Sequence, residues 1–248
     1  MRVSVVTVCF NSARTIRSAL ESFFAQDHPD KELVVVDGAS TDGTLAMVEA
    51  FAGEDLTVMS APDRGIYDAM NKGLAAFSGD AVGFLNSDDR FKDGQVLSRI
   101  AAALKAADIV HGNLDFVSDH ETGAVVRRWR SSAFRKHCFA GGWMPPHPTF
   151  YVRRAVVEAV GGFDLGYRTA ADYDFMLRAM EFYDFRTTFV DSTLIDMRYG
   201  GDSTAGLRAY LRGNLEARRS RRTWLNAGIV DRAFFAKPLS KVTQFVTR

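Results

Sequence analysis

Val3-Ser4-Val5-Val6-Thr7-Val8-Cys9-Phe10 is apolar and β-branched almost throughout. A strand with one face in water alternates apolar and polar residues. This one does not, and so reads as a parallel strand buried on both faces. Working outward, Ala13–Phe24 places Ile16, Ala19, Leu20, Phe23 and Phe24 at helical spacing. Glu32–Val36 is a second buried strand, closed by Asp37-Gly38. Thr44–Phe51 is helical again, with Ser40, Thr41 or Asp42 available as its cap. Leu56–Ser60 reads as a short strand, Ala69–Phe77 as a helix and Ala81–Leu85 as a strand. The order β-α-β-α-β-α-β predicts an α/β fold: a Rossmann-like, mostly parallel sheet with helices on both faces.

In such sheets ligands bind beyond the carboxyl ends of the strands. Three polar segments fall at those ends: Asn11-Ser12, Asp37–Gly43 and Asn86–Asp89. They are expected to converge. The second half is less regular. Val96–Leu104 and Tyr173–Phe182 read as helices, and Ile109–Asn113, Thr122–Arg130 and Thr187–Ile195 as strands. Phe150–Val160 crosses from strand to helix after a Gly/Pro-rich loop that ends Gly141-Gly142-Trp143-Met144-Pro145-Pro146-His147-Pro148.

The chain of 248 residues is 47% hydrophobic and has net charge +1, so its overall field favours no particular partner. Cys9 and Cys138 show no paired spacing, as in a protein of a reducing compartment. The N-terminal apolar run breaks at Asn11, unlike a leader peptide. No segment approaches the ~18 apolar residues of a membrane span. A cytoplasmic location is expected. The region 206–248 differs from the rest. It holds ten Lys and Arg against Glu216 and Asp231, with Tyr210, Trp224, Phe234 and Phe235 interleaved. This reads as a basic amphipathic helical tail after a catalytic region of 1–205. Two readings stay open: a peripheral contact with anionic membrane, or packing on the catalytic domain or a second subunit. No nucleic-acid fold accompanies the charge.

Asp88-Asp89 follows a buried strand directly. Alone it reads as an acidic turn or as a site for a hard cation such as Mg²⁺ or Mn²⁺. Asp37 alone is a strand-ending turn acid or an acceptor for a base or sugar. Asp172 and Asp174 both open a helix, where acids favour the helix dipole; one of them can instead face the site as a general base. His147 lies between prolines and reads as a turn residue or, less simply, a metal ligand. Neither a G-x-G-x-x-G nor a P-loop fingerprint occurs.

Taken together and in order, V-S-V-V-T-V-C-F-N, D-G-A-S-T-D-G-T, D-R-G-I-Y-D-A-M-N-K-G, F-L-N-S-D-D, P-H-P-T-F, A-D-Y-D-F-M-L-R and Y-G-G-D-S resemble inverting glycosyltransferase family 2, in particular its bacterial surface-polysaccharide members. The resemblance spans roughly residues 1–205, with a nucleotide-sugar half to about 105 and an acceptor half beyond. It implies a GT-A fold, a hexosyl or N-acetylhexosaminyl donor (UDP-linked first, GDP-linked second), a glycan or lipid-linked acceptor, and Mn²⁺ or Mg²⁺. Thr7, Asn11, Asp37, Arg64, Asp68, Lys72 and Asp88 match donor-binding positions. Asp89, with Asp88, matches the metal motif, and Asp172 the catalytic base. Gly200, Gly201 and Ser203 match a loop expected to close over the donor, although a plain connector fits the glycines equally.

Two departures stand out. Many relatives carry two adjacent acids where this chain has Asp37-Gly38, and an acid where it has Asn86. Other classes remain alternatives: a nucleotide-sugar-binding scaffold without turnover, or a sugar nucleotidyltransferase. The latter calls for a Gly-rich loop after the first strand, which Asn11-Ser12-Ala13-Arg14 is not.

Overall fold

The structure, a computed structural model, describes residues 1–200 and 206–225, the last segment with side chains from 211 onward. Strand β1 (Val3–Cys9) lies inside a mixed sheet, parallel to β2 (Lys31–Asp37) on one side and to β4 (Ala81–Phe84) on the other. β3 (Leu56–Ser60) extends the parallel run beyond β2. β8 (Tyr151–Arg153) pairs antiparallel with both β4 and β6 (Ile109–Val117). β9 (Thr187–Arg198) runs parallel to β6, and β5 (Arg90–Phe91) closes the order antiparallel to β9. β7 (Val125–Trp129) forms a hairpin arm on β6. Most paired residues lie in parallel ladders, as the unbroken apolar strands require.

β1 is buried at every position because both sheet faces are covered. Val3 and Val5 face the layer of α1 (Ile16–Phe24) and α4 (Val96–Ala103), through Leu20, Phe23, Leu97 and Ile100. Val6 and Val8 face α3 (Ile66–Ala76), α5 (Arg154–Val160) and α6 (Ala171–Leu177), through Met70, Val156 and Phe175. Each large apolar side chain so covered contributes about 1.5–3 kcal/mol relative to exposure. α3 lies unusually close to β1. A Cβ on Gly73 would come within 2.3 Å of Val6 Cγ1, so only glycine admits this approach. α2 (Thr44–Glu49) follows the loop after β2.

Four elements differ from the sequence expectation. β5 is too short to carry a period. β6 continues to Val117 and β9 to Arg198 because they pair with each other along that length. The helix from 171 gives way at Arg178–Phe182 to a π turn, which 3.6-residue periodicity does not distinguish from its continuation. α7 (Gly206–Leu225) packs against the catalytic domain, a contact that one of the two open readings of the basic region allowed. Ala217 belongs to the core, and Trp224 and Leu225 pack against it. Of the expected apolar face, Leu211 and Leu215 are exposed. Within Arg218–Arg222, Ser220 and Arg221 turn inward, Arg221 donating to Tyr173 Oη at 2.9 Å. The basic cluster is therefore not one solvent face. Side chains of 206–210 and all of 226–248, including Tyr210, Phe234 and Phe235, lie outside the described residues.

Candidate active site

The parallel strands β1, β2 and β4 end at one sheet edge, and hydrogen bonds between their loops tie those ends together. Asn11, in the left-handed region at φ 50, accepts from the Thr41 N–H through Oδ1 at 2.9 Å, while its own N–H donates to Ser40 Oγ at 2.8 Å. Asp42 accepts from the Ala13 N–H at 3.0 Å and from Thr44, which fixes the start of α2. Ser87 Oγ donates to Ser12 Oγ at 3.0 Å. Asn11-Ser12, 37–43 and 86–89 thus form one polar surface. Phe10 leaves its ring there, 63% exposed.

Asp37 is fully buried. Its carboxylate accepts from the Ser40 N–H at 3.0 Å, from Ser40 Oγ at 2.5 Å and from Ser60 Oγ at 2.7 Å. Burial acts to raise its pKa, but these donors outweigh that and hold it below the usual carboxylate range. Here Asp37 shapes the loop that follows it. A side chain at Gly38 would require Asp63 to move, because a Cβ there would lie 2.6 Å from Asp63 Oδ2. Asp63 Oδ1 meanwhile accepts from the Gly65 N–H at 2.7 Å. Thr7 is buried in β1, and its hydroxyl finds no hydrogen-bond partner among the described residues.

α3 brings a charged row to the same edge. Asp68 accepts from Arg64 at 2.9 Å and pairs with Lys72 Nζ at 3.3 Å. Lys72 Nζ also donates to the Pro62 carbonyl at 2.8 Å. The Arg64 hydrogen bonds hold the Asp68 carboxyl down at about 2. Asp68 is therefore the shared anchor of two cations.

Asp89 is buried at 0% exposure, whereas Asp88 is half-buried. Asp89 accepts from Asn86 Nδ2 at 2.8 Å and from the Arg198 N–H at 3.2 Å. Burial first, and the charge of Asp88 second, push its carboxyl well above the usual range. The Asp88 carbonyl accepts from or faces His120 Nε2 at 2.7 Å. Asn86 supplies a donor to Asp89 rather than a third negative charge. A buried carboxyl pushed up by burial and by a neighbouring carboxylate is one that a small divalent cation would stabilise in its charged form, and such ions use one or two carboxylates together with substrate phosphates. Among the described residues no three His, Cys, Asp or Glu gather as a metal cage. His147 therefore does not complete the site. It stacks on Phe84 at 5.3 Å and meets Phe163 edge-on at 5.8 Å, and burial lowers its pKa, keeping the ring neutral.

The two acids that open α6 part company. Asp174 is buried and accepts from Arg178 at 2.8 Å, Ser220 at 2.8 Å and Trp224 Nε1 at 3.0 Å, so it is structural. Asp172 stays half-buried, and its Oδ1 accepts from Tyr67 Oη at 3.1 Å. Burial, then the nearby Asp172, keeps the Tyr67 hydroxyl protonated far above neutral pH. The sequence reading passed over Tyr67, although it lies inside the quoted D-R-G-I-Y-D segment; its partner stands 105 residues away. Gly200, at φ 105, ends the described segment 1–200 after β9. Gly201 and Ser203 of the expected loop lie outside the described residues.

The family model described as Glycosyl transferase family 2 matches residues 4–161, which include the sheet edge just described. The chain belongs to glycosyl transferase family 2. An uncharacterized glycosyltransferase of Mycobacterium tuberculosis is 34% identical over 178 residues, covering 71% of this chain and 68% of its own. A PGL/p-HBAD biosynthesis glycosyltransferase of Mycobacterium bovis is 33% identical over 182 residues, with the same shares. S. aureus TarS 1–349 in complex with UDP-GlcNAc superposes with a TM-score of 0.70 at 22% identity, covering 97% of this chain and 72% of that one. The mannosyltransferase PcManGT from Pyrobaculum calidifontis, in complex with GDP-Man and Mn²⁺, superposes with a TM-score of 0.67 at 20% identity, over 95% and 68%. These likenesses identify the GT-A fold of this family 2 glycosyltransferase. No helix among its described residues is long and apolar enough to cross a membrane.

Proposed function

We propose that this glycosyltransferase moves a hexosyl or N-acetylhexosaminyl group, with inversion, from a nucleotide-diphosphate donor to a hydroxyl of a glycan or lipid-linked acceptor in surface polysaccharide or glycolipid assembly. The observation that carries the reading is the division of labour between acids. Asp89 is buried beside Asp88, its carboxyl raised by burial and by that neighbour, while Asp172 is half-buried and held by the neutral hydroxyl of Tyr67.

Asp88 and Asp89 would hold Mn²⁺ or Mg²⁺, which when bound supplies positive charge for a departing diphosphate. Arg64 and Lys72, set side by side by Asp68, add to the field at the same edge. Thr7, Asn11 and the loop shaped by Asp37 line the nucleoside side. Asp172 takes the proton of the attacking hydroxyl, and Tyr67 fixes the orientation of its carboxylate. Attack from the face opposite the leaving phosphate inverts the anomeric configuration.

A nucleotide-sugar donor is supported by the neighbours in complex with UDP-GlcNAc and GDP-Man, and the divalent ion by the Mn²⁺ of the latter. A lipid-linked acceptor is supported by relatives named for PGL/p-HBAD biosynthesis. The enzyme would act on the cytoplasmic side of a membrane, with the basic region 206–248 resting on anionic headgroups. UDP is the first donor to test.

Nucleotide release from a panel of UDP-, GDP- and dTDP-sugars, with Mn²⁺ and with EDTA, tests the assignment. One donor should be consumed in a Mn²⁺-dependent manner, and its released sugar should have inverted configuration by NMR. Hydrolysis of none, or a retained configuration, overturns the reading.

A further inference from the structure

α6 begins without a cap of its own. Its N-cap position is Ala170, which has no side-chain acceptor for the exposed N–H groups. The N-cap N–H and the two before it are held instead by an acceptor from α7. Glu216 Oε1 accepts from the Arg168 N–H at 3.1 Å, and Oε2 from the Thr169 N–H at 2.8 Å and the Ala170 N–H at 3.0 Å. Arg219, one turn on, donates to the Gly166 carbonyl at 3.3 Å and lies 4.7 Å from the centre of the Tyr167 ring. One helix therefore grips 166–170 from both polarities, and Asp172 follows two residues later.

α7 does not need Glu216 in order to dock. Its inward face already carries Asn214, Ala217, Ser220 and Arg221, all buried, and Ser220 and Trp224 bond to Asp174. Glu216 is the one acid of the helix, and its carboxylate accepts from three backbone N–H groups of the loop before α6. A carboxylate accepting three successive backbone N–H groups fixes the course of that backbone, because charge-assisted hydrogen bonds are strong and directional. It also places negative charge at the positive end of α6. Tyr67 holds the Asp172 carboxylate from the α3 side, and Glu216 holds its backbone from the α7 side.

We infer that Glu216 is a positioning residue for the catalytic base: α7, beyond the part of the chain matched by the family model, sets the α6 N-terminus at the height at which Asp172 meets the acceptor hydroxyl. The inference rests on Asp172 being that base.

The test uses the full chain and the sugar nucleotide of the panel that it hydrolyses fastest. For Glu216→Ala, kcat for Mn²⁺-dependent hydrolysis should fall by roughly 10- to 100-fold, as for small misplacements of a reacting group. Nucleotide affinity by calorimetry should stay within about twofold, the scatter expected of independent sites. Glu216→Gln, which retains one acceptor oxygen for Thr169 and Ala170, should recover part of the loss. A folded Glu216→Ala with parental kcat overturns the inference, as does one whose nucleotide affinity falls in step with kcat. If Glu216→Ala does not fold, Glu216→Gln decides: parental kcat overturns the inference and a selective loss of kcat upholds it. The double variant with Asp172→Asn separates this inference from the reading beneath it. If Glu216 acts through Asp172, adding Glu216→Ala to Asp172→Asn costs no further rate, and a full additional loss overturns it. If Asp172→Asn alone keeps its rate, the base assignment has failed, whatever Glu216 does.

Discussion

Asn11, Asp42 and Ser87 are held by neighbours that a parallel sheet delivers without choice, since β1, β2 and β4 must end at one edge. Asp172 has no such guarantee. Its carboxylate is held by Tyr67, 105 residues earlier, and the loop before it by Glu216, 46 to 48 residues later. On the proposed reading, the nucleotide side of the site is a product of topology, and the base side a product of individual side chains. Single substitutions should therefore separate binding from turnover cleanly, and three of them probe that separation most sharply.

The largest effect is expected at Asp89. Asp89→Ala should remove the whole Mn²⁺-dependent increment of donor affinity, measured by calorimetry with and without the ion. The metal-free protein should melt no more than slightly lower, because the side chain removed is a buried carboxyl beside a like charge. A mutant whose affinity still rises with Mn²⁺ would show that the cation is held elsewhere. Next, Asp172→Asn should leave that affinity intact and lower turnover by about 10²–10⁴-fold, the usual worth of general-base help. A smaller loss would break the comparison at its base side. Tyr67→Phe is milder. It removes one hydrogen bond to a charged acceptor, typically ~1.5–3 kcal/mol, so kcat should fall by roughly 10- to 100-fold while donor affinity holds. An equal change in both would mean that Tyr67 serves the donor.

The same contrast explains how much could be read from the sequence. Val3–Cys9 and Glu32–Val36 announce buried parallel strands because every position is covered, and strand ends then locate Asn11, Asp37 and Asp88-Asp89. The seven short segments, unspecific singly, identify the family in order. Arg90–Phe91 stayed hidden because two residues have no period, and the π turn at 178–182 because it begins as an ordinary helix. The choice between Asp172 and Asp174 was open in sequence, since both lie in a first turn. Contacts from Arg178, Ser220 and Trp224 bury Asp174 and leave Asp172 half-buried, which supports Asp172 as the base. His147 was misleading as a ligand because nothing local shows that Phe84 and Phe163 enclose its ring. Glu216 was invisible for a different reason: a single acid in a basic stretch reads as part of a charge balance, not as a cap for a helix far upstream.

The smallest expected effect belongs to Asp68, and it tests whether the nucleotide side is as insensitive as topology suggests. Asp68 is covered by its own partners, Arg64 and Lys72, rather than by apolar atoms, and the Arg64 hydrogen bonds hold its carboxyl at about 2, against about 3.9 for an unperturbed Asp. The folded value is the depressed one. The contribution of the network is therefore fully present above about pH 4 and is lost as pH falls from there through about 2. Donor affinity carried by Arg64 and Lys72 should accordingly stay level between neutral pH and about pH 5, at which a carboxylate of ordinary pKa would already have begun to protonate. In Asp68→Asn the two cations lose their common acceptor. The melting midpoint should hardly move, since exposed ion pairs contribute little to folding, while donor affinity weakens a few-fold and becomes more sensitive to salt. Calorimetric titrations at two pH values and two salt concentrations read both quantities. A parental affinity in Asp68→Asn would mean that Arg64 and Lys72 find their places without an anchor, and that the sheet edge alone positions them.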